Sequence, residues 1–585
     1  MIRLEKKSEK KKLVEKLMYI ETELKEFQKT TVNWMLEREE KNGGGMLLNE
    51  PGLGKTLCCL NVIITGGGRT LVICPAGLIK NWVEEIDKHT IGVSCNVYHG
   101  SGRKLNDALI NITSYSTLNR DKELLNEMQF DRIILDEAHY IRNSSSQIHK
   151  VVIELGNINA LSNKWVVTAT PIFNCADDMY GYFVFLNLEG VENKKDWSKI
   201  KGKDKLELKN INKSILRHSL RLEKKDVLKE LKEKKNERII LKFNKDEQEF
   251  YDALVVYSVK RMKKLLEKIK IIKDNEINCQ TDMKLSKVMR NNVMVYIIRL
   301  KQVCDSIQLI TKSMNRIKGM SIKKSIEILN YYNKSLNAEL EECVVCYDAD
   351  ADTISESCGH KLCGKCWKKI LRLIPRCPEC RCRVGEIRLL ENNVSKDDSS
   401  NELFESEKFR FVLNLTKDIL NKNEKVIIVS QYVMSLDLIK DFFEKDIELR
   451  NIKYITIQGN VKITERMEMI KEFQKEKDIK VCFLSLNAGA EGLTLTSANN
   501  LIFVDEWWNN SKMEQCADRI HRIGQEKQVY IYNLKMKGSI EERIEELVKY
   551  KGLIVNMILN KEFRDDFDLS WIENVVKLLD KEEEN

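Results

Sequence analysis

Between residues 343 and 380, thiols and one imidazole recur in pairs: Cys343 and Cys346, Cys358 and His360, Cys363 and Cys366, Cys377 and Cys380. A Cys-x-x-Cys step sets two thiolates on one tight knuckle, within reach of one tetrahedral cation, so these side chains supply two complete zinc sites. Far upstream, Gly52-Leu53-Gly54-Lys55-Thr56 has the composition of a phosphate loop that opens a helix. Its glycines let backbone N–H groups approach phosphate, Lys55 suits the β- and γ-phosphates, and the Thr56 hydroxyl suits magnesium. Asn49 stands where the strict pattern has glycine, so taken alone the loop is also compatible with an ordinary glycine turn. The apolar run Ile133-Ile134-Leu135 then ends in Asp136-Glu137. Asp136 is placed to hold magnesium and Glu137 to orient an attacking water, the plainer alternative being an acidic cap after a strand. Downstream, Gln515, Arg519 and Arg522 follow a spacing that shares one face of a helix. Two arginines there suit a γ-phosphate on which charge develops, against the plainer reading of a solvated basic face.

The elements that must carry these groups are legible as a change of pattern along the chain. Short apolar runs such as Thr70–Cys74, Arg132–Leu135 and Trp165–Thr168 alternate with polar helical stretches, and each ends in a polar or glycine-bearing loop. That alternation predicts a parallel sheet wrapped by helices, with chemistry at the carboxyl ends of the strands. Residues 210–340 are rich in Lys and Glu and predict a mainly helical extension; 391–403 are polar and predict a linker. Strand-like runs resume at Lys425–Ser430, Tyr454–Ile457, Lys480–Leu484, Asn499–Val504 and Val529–Tyr532, which predicts a second α/β lobe. The chain has 585 residues, 43% of them hydrophobic, which is enough for several cores. A net charge of +9 permits a nucleic-acid partner without requiring one. No apolar run is long enough to span a membrane, and Met1–Lys12 is charged and carries no signal-peptide core, so no membrane partner is expected and an intracellular, soluble chain is. The 17 cysteines fit a reducing compartment: seven are in the paired array with His360, and others, such as Cys58, Cys59, Cys74 and Cys482, lie in apolar runs.

Taken together, these stretches resemble the helicase motifs of superfamily two, and in detail those of the Swi/Snf-type DNA translocases. Leu24-Lys25-Glu26-Phe27-Gln28 resembles the adenine-sensing motif, with Gln28 in that role. Thr70–Ile86 and Ile112–Tyr115 resemble DNA-contact motifs, and Thr168-Ala169-Thr170-Pro171 resembles the coupling motif. Asn487–Leu495 resembles the motif linking DNA to nucleotide, and the ending His521-Arg522-Ile523-Gly524-Gln525 is specific to this family. Asn49-Glu50-Pro51, Ala169 and Asn509-Asn510 depart from the usual pattern, without removing a catalytic group. The resemblance implies two RecA-like, doubly wound parallel-sheet lobes, with Lys55, Asp136, Glu137, Arg519 and Arg522 catalytic. It implies that ATP is bound by Gln28, Gly52, Leu53, Gly54, Lys55, Thr56 and Gln515, together with magnesium.

The cysteine order resembles a RING finger. The resemblance implies interleaved sites, Cys343, Cys346, Cys363 and Cys366 on one zinc and Cys358, His360, Cys377 and Cys380 on the other. In such small modules structural zinc supplies ~10–16 kcal/mol of folding energy. Val344, Val345, Pro378 and Arg381 match positions that contact a ubiquitin-conjugating enzyme in active RING fingers, with Ile370 or Leu371 completing the surface. A finger placed between motor lobes resembles the translocase–ubiquitin ligase branch of the family, which acts in DNA repair. The expected order is a basic leader (1–20), a first lobe (21–210), a helical extension (211–340), the finger (341–386), a linker (387–405), a second lobe (406–560) and a tail (561–585). The expected activity is ATP-driven translocation on double-stranded DNA with ubiquitin transfer. The rivals are a strand-separating DNA or RNA helicase with a purely structural finger, and a non-enzymatic scaffold. Nuclear residence follows from the resemblance, or a cytoplasmic one for a viral chain.

Overall fold

The computed structural model describes residues 18–545 apart from 122, 124–128, 173–175, 189–190, 192–193, 202–214, 275–294, 312–321, 324, 328, 330–344, 346–352, 356, 358–359, 374–375, 379–381, 390–403, 460, 462, 490–493 and 508–509. The basic leader up to residue 17, the linker at 391–403, the end of the second lobe from 546 and the tail at 561–585 therefore lie outside the described residues.

Two parallel sheets organise the rest. In the first, seven strands run in the spatial order Cys95–Tyr98, Ile110–Ser114, Thr70–Cys74, Arg132–Asp136, Asn163–Val167, Gly44–Leu47, Ser219–Leu220. The central strands Thr70–Cys74 and Arg132–Asp136 are built on Val, Ile and Leu and are buried over all but the terminal Asp136, because helices cover both faces of the sheet. One face packs Val32, Met35, Leu60 and Trp82 from helices Glu26–Asn42, Lys55–Gly66 and Ile79–His89. The other packs Leu118, Val152, Leu155 and Phe183 from helices Tyr115–Arg120, Gln147–Ile158 and Tyr180–Phe185. Ser114 and Ser146 start two of these helices by accepting the N–H groups of Thr117 and His149, which satisfies donors a helix cannot pair internally.

The second sheet has six parallel strands, in the order Lys235–Leu241, Tyr530–Met536, Asn500–Phe503, Val426–Ser430, Ile479–Ser485, Lys453–Ile457. Its first strand lies inside the stretch expected to be mainly helical. It pairs with Tyr530–Met536 along its full length but sits at the sheet edge, where most of its residues are exposed, so its charged sequence carries no apolar signal. The helical part of that stretch, Lys245–Asp274, 295–305 and Ile307–Thr311, packs with Met536, Ile540 and Ile544 against the same lobe.

The cysteine-rich segment forms a small separate unit. Strand Thr353–Ser355 lies between Lys361–Leu362 and Ile387–Leu389, both antiparallel to it, and helix Gly364–Leu373 packs against them. Trp367 fills its centre, fully buried, with Nε1 donating to Thr353 O at 2.9 Å.

Candidate nucleotide site between the lobes

The phosphate loop follows the buried strand Gly44–Leu47, and Asp136-Glu137 ends strand Arg132–Asp136; the one strand between them, Asn163–Val167, runs out into Thr168–Pro171. Three functional loops thus share the carboxyl edge of one sheet. Gly52 and Gly54 have φ of 83° and 75°, conformations that favour glycine, and at Gly54 a Cβ would stand 2.4 Å from Gln28 Nε2. Lys55 Nζ donates to Asn49 O at 2.8 Å and Glu50 O at 3.1 Å, folded back along its own loop. Burial pulls the Lys55 pKa below its ordinary value, against the opposing charges of Glu137, Asp136 and Asp518.

Asp136 is held from three sides. Oδ2 accepts Trp82 Nε1 at 2.8 Å, Oδ1 accepts the Glu137 N–H at 2.9 Å, and its carbonyl accepts Tyr115 OH at 2.9 Å. Burial, with the Glu137 charge, pushes the Asp136 pKa up to about 6. Glu137 adopts a left-handed backbone, φ 49°, uncommon for a non-glycine residue and found where surroundings over-determine a site. Burial would raise its pKa, but His139, whose Nδ1 lies 3.2 Å from Oε2, together with Lys55 and Arg519, brings it below the ordinary carboxylate value. Glu137 is therefore an anion at neutral pH. The pair is a concentrated acidic site facing Lys55 of the phosphate loop, and with the Thr56 hydroxyl it makes a hard-oxygen donor set that fits a magnesium ion.

The second lobe supplies the arginines, in a geometry that differs from expectation. Helix Asn510–Ala517 carries Gln515 but ends before Arg519 and Arg522. Both arginines sit on the turns that follow, because that backbone bonds elsewhere: Leu495 N donates to Arg519 O at 3.0 Å, and Gln525 Nε2 reaches Thr496 O, Ala498 O and Ile520 O. The arginines still reach the site. A Cβ on Gly52 would stand 2.9 Å from Arg522 Cβ, and the Arg519 charge acts on Lys55 and Glu137. Arg522 Nη1 donates to Thr494 Oγ1 at 2.9 Å, and Gln515 Nε2 crosses the cleft to Thr170 Oγ1 at 3.3 Å. Gln28 Nε2 lies 3.3 Å from Leu53 O and its Oε1 accepts Lys25 N at 3.0 Å, so its amide braces the phosphate loop.

Sequence reasoning missed the supporting residues Trp82, Tyr115 and His139. Trp82 and Tyr115 lie within the stretches resembling DNA-contact motifs and His139 lies two residues beyond Glu137, but no spacing rule ties an indole to a carboxylate remote in sequence. Lys224 was missed for a different reason, one more lysine in a lysine-rich background. Its Nζ lies 2.5 Å from Asp518 Oδ1 and 2.6 Å from His521 O across the lobe boundary.

In the zinc finger, Cys363, Cys366 and Cys377 are buried around Trp367, and Cys366 N donates to Cys363 Sγ at 3.4 Å, the N–H···S geometry of a metal knuckle. His360 is described as well, with its carbonyl accepting Ser355 N at 3.0 Å. These donors fit zinc. Cys343, Val344, Cys346, Cys358, Cys380 and Arg381 lie outside the described residues. Of the expected docking surface, Val345 is 1% exposed and Ile370 2%, both packed into the finger's core, which has few other apolar groups to fill it. Neither is presented at the surface; Pro378 and Leu371 are half-buried. Among the described residues, no helix is long and apolar enough to cross a membrane.

A phosphate loop, a carboxylate pair and an arginine turn, shared by two parallel-sheet lobes, define a helicase-like nucleotide motor fold. Residues 27–309 match the SNF2-related domain, 407–524 the helicase conserved C-terminal domain, and 339–387 the C3HC4-type zinc finger, or RING finger. The chain is thus an SNF2-type member of the helicase-like proteins with a RING finger inserted between its lobes. It is 27% identical over 569 residues to DNA repair protein RAD5A of Arabidopsis thaliana, covering 87% of this chain and 52% of that one. It is 27% identical over 522 residues to the helicase-like transcription factor of Mus musculus, covering 81% and 49%. The chain therefore spans about half the length of such curated relatives. Among solved structures, the Sulfolobus solfataricus SWI2/SNF2 ATPase core in complex with dsDNA aligns at 23% identity and a TM-score of 0.37, over 92% of this chain and 94% of that one.

Proposed function

We propose that this chain is an ATP-dependent translocase on double-stranded DNA whose RING finger passes ubiquitin from a charged conjugating enzyme to a protein substrate. The observation that carries the motor reading is that Arg522 of the second lobe packs against Gly52 of the phosphate loop while the Arg519 charge reaches Lys55 and Glu137 of the first. Relatives named as DNA repair proteins support DNA as the track.

ATP binds with its phosphates at the N-terminus of helix Lys55–Gly66, where unpaired N–H groups and the helix dipole favour anions. Lys55 leaves the Asn49 and Glu50 carbonyls for the β- and γ-phosphate oxygens. Thr56 and Asp136 would hold magnesium, which when bound neutralises phosphate charge. Glu137, kept anionic by His139, Lys55 and Arg519, orients the water that attacks the γ-phosphorus as ADP departs. Arg519 and Arg522 stabilise charge spreading over the transferred group, a role worth roughly 10³–10⁵ in rate in comparable enzymes. Opening and closing of the lobes then moves the chain along the DNA, mainly through phosphate contacts, so sequence preference is low. In the finger, four cysteines pair with three further cysteines and His360 around two zinc ions, and Pro378 and Arg381 face the conjugating enzyme.

Measuring ATP turnover with duplex DNA, single-stranded DNA and RNA in parallel tests the motor reading. Duplex DNA is expected to stimulate most and Lys55→Ala to abolish turnover. Stronger stimulation by RNA would favour a strand-separating helicase, and Lys55→Ala turnover at the parent rate would overturn the site assignment. For the finger, Cys343→Ser is expected to release zinc, and Arg381→Ala to retain it. Both are expected to stop ubiquitin transfer while DNA-stimulated ATP turnover survives. Undiminished transfer by Arg381→Ala would remove that residue from the docking set.

A further inference from the structure

We propose that Lys224 is a positioning residue for hydrolysis, one that sets the arginine turn of the second lobe against the phosphate loop of the first. The inference rests on the ATP-hydrolysis reading above and adds to it a residue that no motif marks.

The main chain of Lys224 belongs to the first lobe. It opens the short helix Lys224–Val227 just after strand Ser219–Leu220. From there the backbone is stitched to the approach of the phosphate loop: Leu48 N donates to Leu220 O, Glu50 N to Leu222 O, Leu222 N to Asn49 Oδ1, and Lys224 N to Glu50 Oε2 at 2.7 Å. Its side chain belongs functionally to the second lobe. The stem runs beside Gly52, whose Cβ would stand 3.7 Å from Lys224 Cε, and the ammonium then meets Asp518 Oδ1 and His521 O. Those two acceptors immediately precede Arg519 and Arg522. One rigid path therefore runs from the loop that binds phosphate to the turn that must act on it.

Burial separates this contact from an ordinary surface ion pair. The Lys224 and Asp518 side chains are 7% and 9% exposed. Taking both charges out of water is costly, and apolar residues of similar volume hold two surfaces together as well or better. A directional role explains the ion pair where adhesion does not. The helix ends at Ala517, so the His521 carbonyl on the turn beyond needs a donor, and Lys224 provides one while pairing with Asp518. Two further ties follow along the same segment: His521 Nε2 meets Lys232 O at 2.9 Å, and Lys234 pairs with Glu514. The contact bridges the two lobes, so it registers the arginine turn against the phosphate loop. Small misplacements of such groups cost rate rather than binding.

The test uses the full chain with saturating duplex DNA and an ATP titration, on Lys224→Met, Lys224→Arg, Asp518→Asn and the Lys224→Met/Asp518→Asn double variant. Each of Lys224→Met and Asp518→Asn is expected to lower kcat by about tenfold or more, with KM for ATP within about twofold of the parent. The double variant is expected to match the worse single one, because both break one connection, and Lys224→Arg to recover most of the loss. Thermal midpoints and binding of a fluorescent ATP analogue separate misplacement from unfolding. If Lys224→Met does not fold, Asp518→Asn, which keeps shape and an acceptor, and Lys224→Arg carry the comparison. Parent-level kcat in Lys224→Met or Asp518→Asn, a change confined to KM, or losses that multiply in the double variant would each overturn the inference while leaving ATP hydrolysis intact. A parent chain that fails to hydrolyse ATP would overturn the function and the inference together.

Discussion

At Asp136, one indole does work that a motif search does not register. Trp82 Nε1 holds Oδ2 while the Glu137 N–H holds Oδ1, which fixes the carboxylate plane. A residue that orients a metal-binding carboxylate commonly changes metal affinity by about 10–100-fold when it is removed. Trp82→Phe, which keeps the packing of a fully buried ring, is therefore expected to raise the magnesium concentration for half-maximal ATP turnover about tenfold, with turnover recovered at saturating magnesium. An unchanged magnesium dependence would show that Asp136 is held adequately by the backbone alone. Glu137→Gln contrasts with it: loss of the carboxylate that orients water is expected to lower kcat by at least about 10² at any magnesium concentration, with nucleotide binding retained.

At the scale of elements, a buried charge cluster locks the helical extension onto the second lobe. Lys408, on helix Glu407–Asn421, is wholly buried and lies 3.2 Å from Asp305 Oδ1 and 2.6 Å from Glu541 Oε1. Ser435 donates to Asp305 Oδ2, Ser406 to Asp305 O, and Met536 N to Glu541 Oε2. Burial alone would lower the Lys408 pKa; Glu541 and Asp305 more than reverse this, while burial drives the Asp305 pKa well above its ordinary value. Removing the Lys408 ammonium leaves two buried carboxyl groups without the ion pair it makes to them. Lys408→Met is expected to destabilise the second lobe by about 3–5 kcal/mol, read as a lower urea midpoint by far-ultraviolet circular dichroism. Replacing Lys408, Asp305 and Glu541 together by apolar residues is expected to recover much of that loss. A triple variant as unstable as Lys408→Met would mean that the cluster supplies net stability.

At the scale of the whole molecule, the RING finger is carried by the second lobe. Ile326 and Leu329 before it and Phe404 after it pack into the same cluster as Met536 and Ile540. Ser406 Oγ ties the re-entering chain to Asp305 O at 2.6 Å. Acid sensitivity is also distributed over both lobes. Burial lowers the pKa of His89, His149 and His521, whose ring nitrogens meet Thr22 Oγ1, Ile141 O and Lys232 O. Their unfolded counterparts take up protons near pH ~6.5, before the folded ones do, so the unfolded chain binds more protons in that window. Stability is then fully present above that pH and falls as pH drops toward the depressed folded values. Thermal midpoints are expected to fall between about pH 7 and pH 5.5, and His149→Gln to flatten that slope. An equal slope in the variant would place the acid response on other groups.

The chemistry of each loop was determined by nearest neighbours in sequence, which is why it was legible there. Gly52 and Gly54 permit the left-handed turns of a phosphate loop, the run Ile133–Leu135 demands a buried strand before Asp136, and Cys363-x-x-Cys366 makes a knuckle in any surrounding. The alternation of apolar runs with helices likewise foretold both parallel sheets, since strands covered on both faces must be apolar throughout. What depended on remote partners could be decided only by the tertiary structure. Strand Lys235–Leu241 is an edge strand, held by hydrogen bonds to Tyr530–Met536 and not by apolar content. Val345 turns inward because a small finger must fill its core. The arginines leave their helix because Leu495 and Lys224 bond the turn beyond it. Of the 98 lysines and arginines, Lys224 stands out only when the two lobes close and bury its ammonium against Asp518. Residue type and local spacing set what a side chain can do, whereas burial and partner choice are properties of the packed chain.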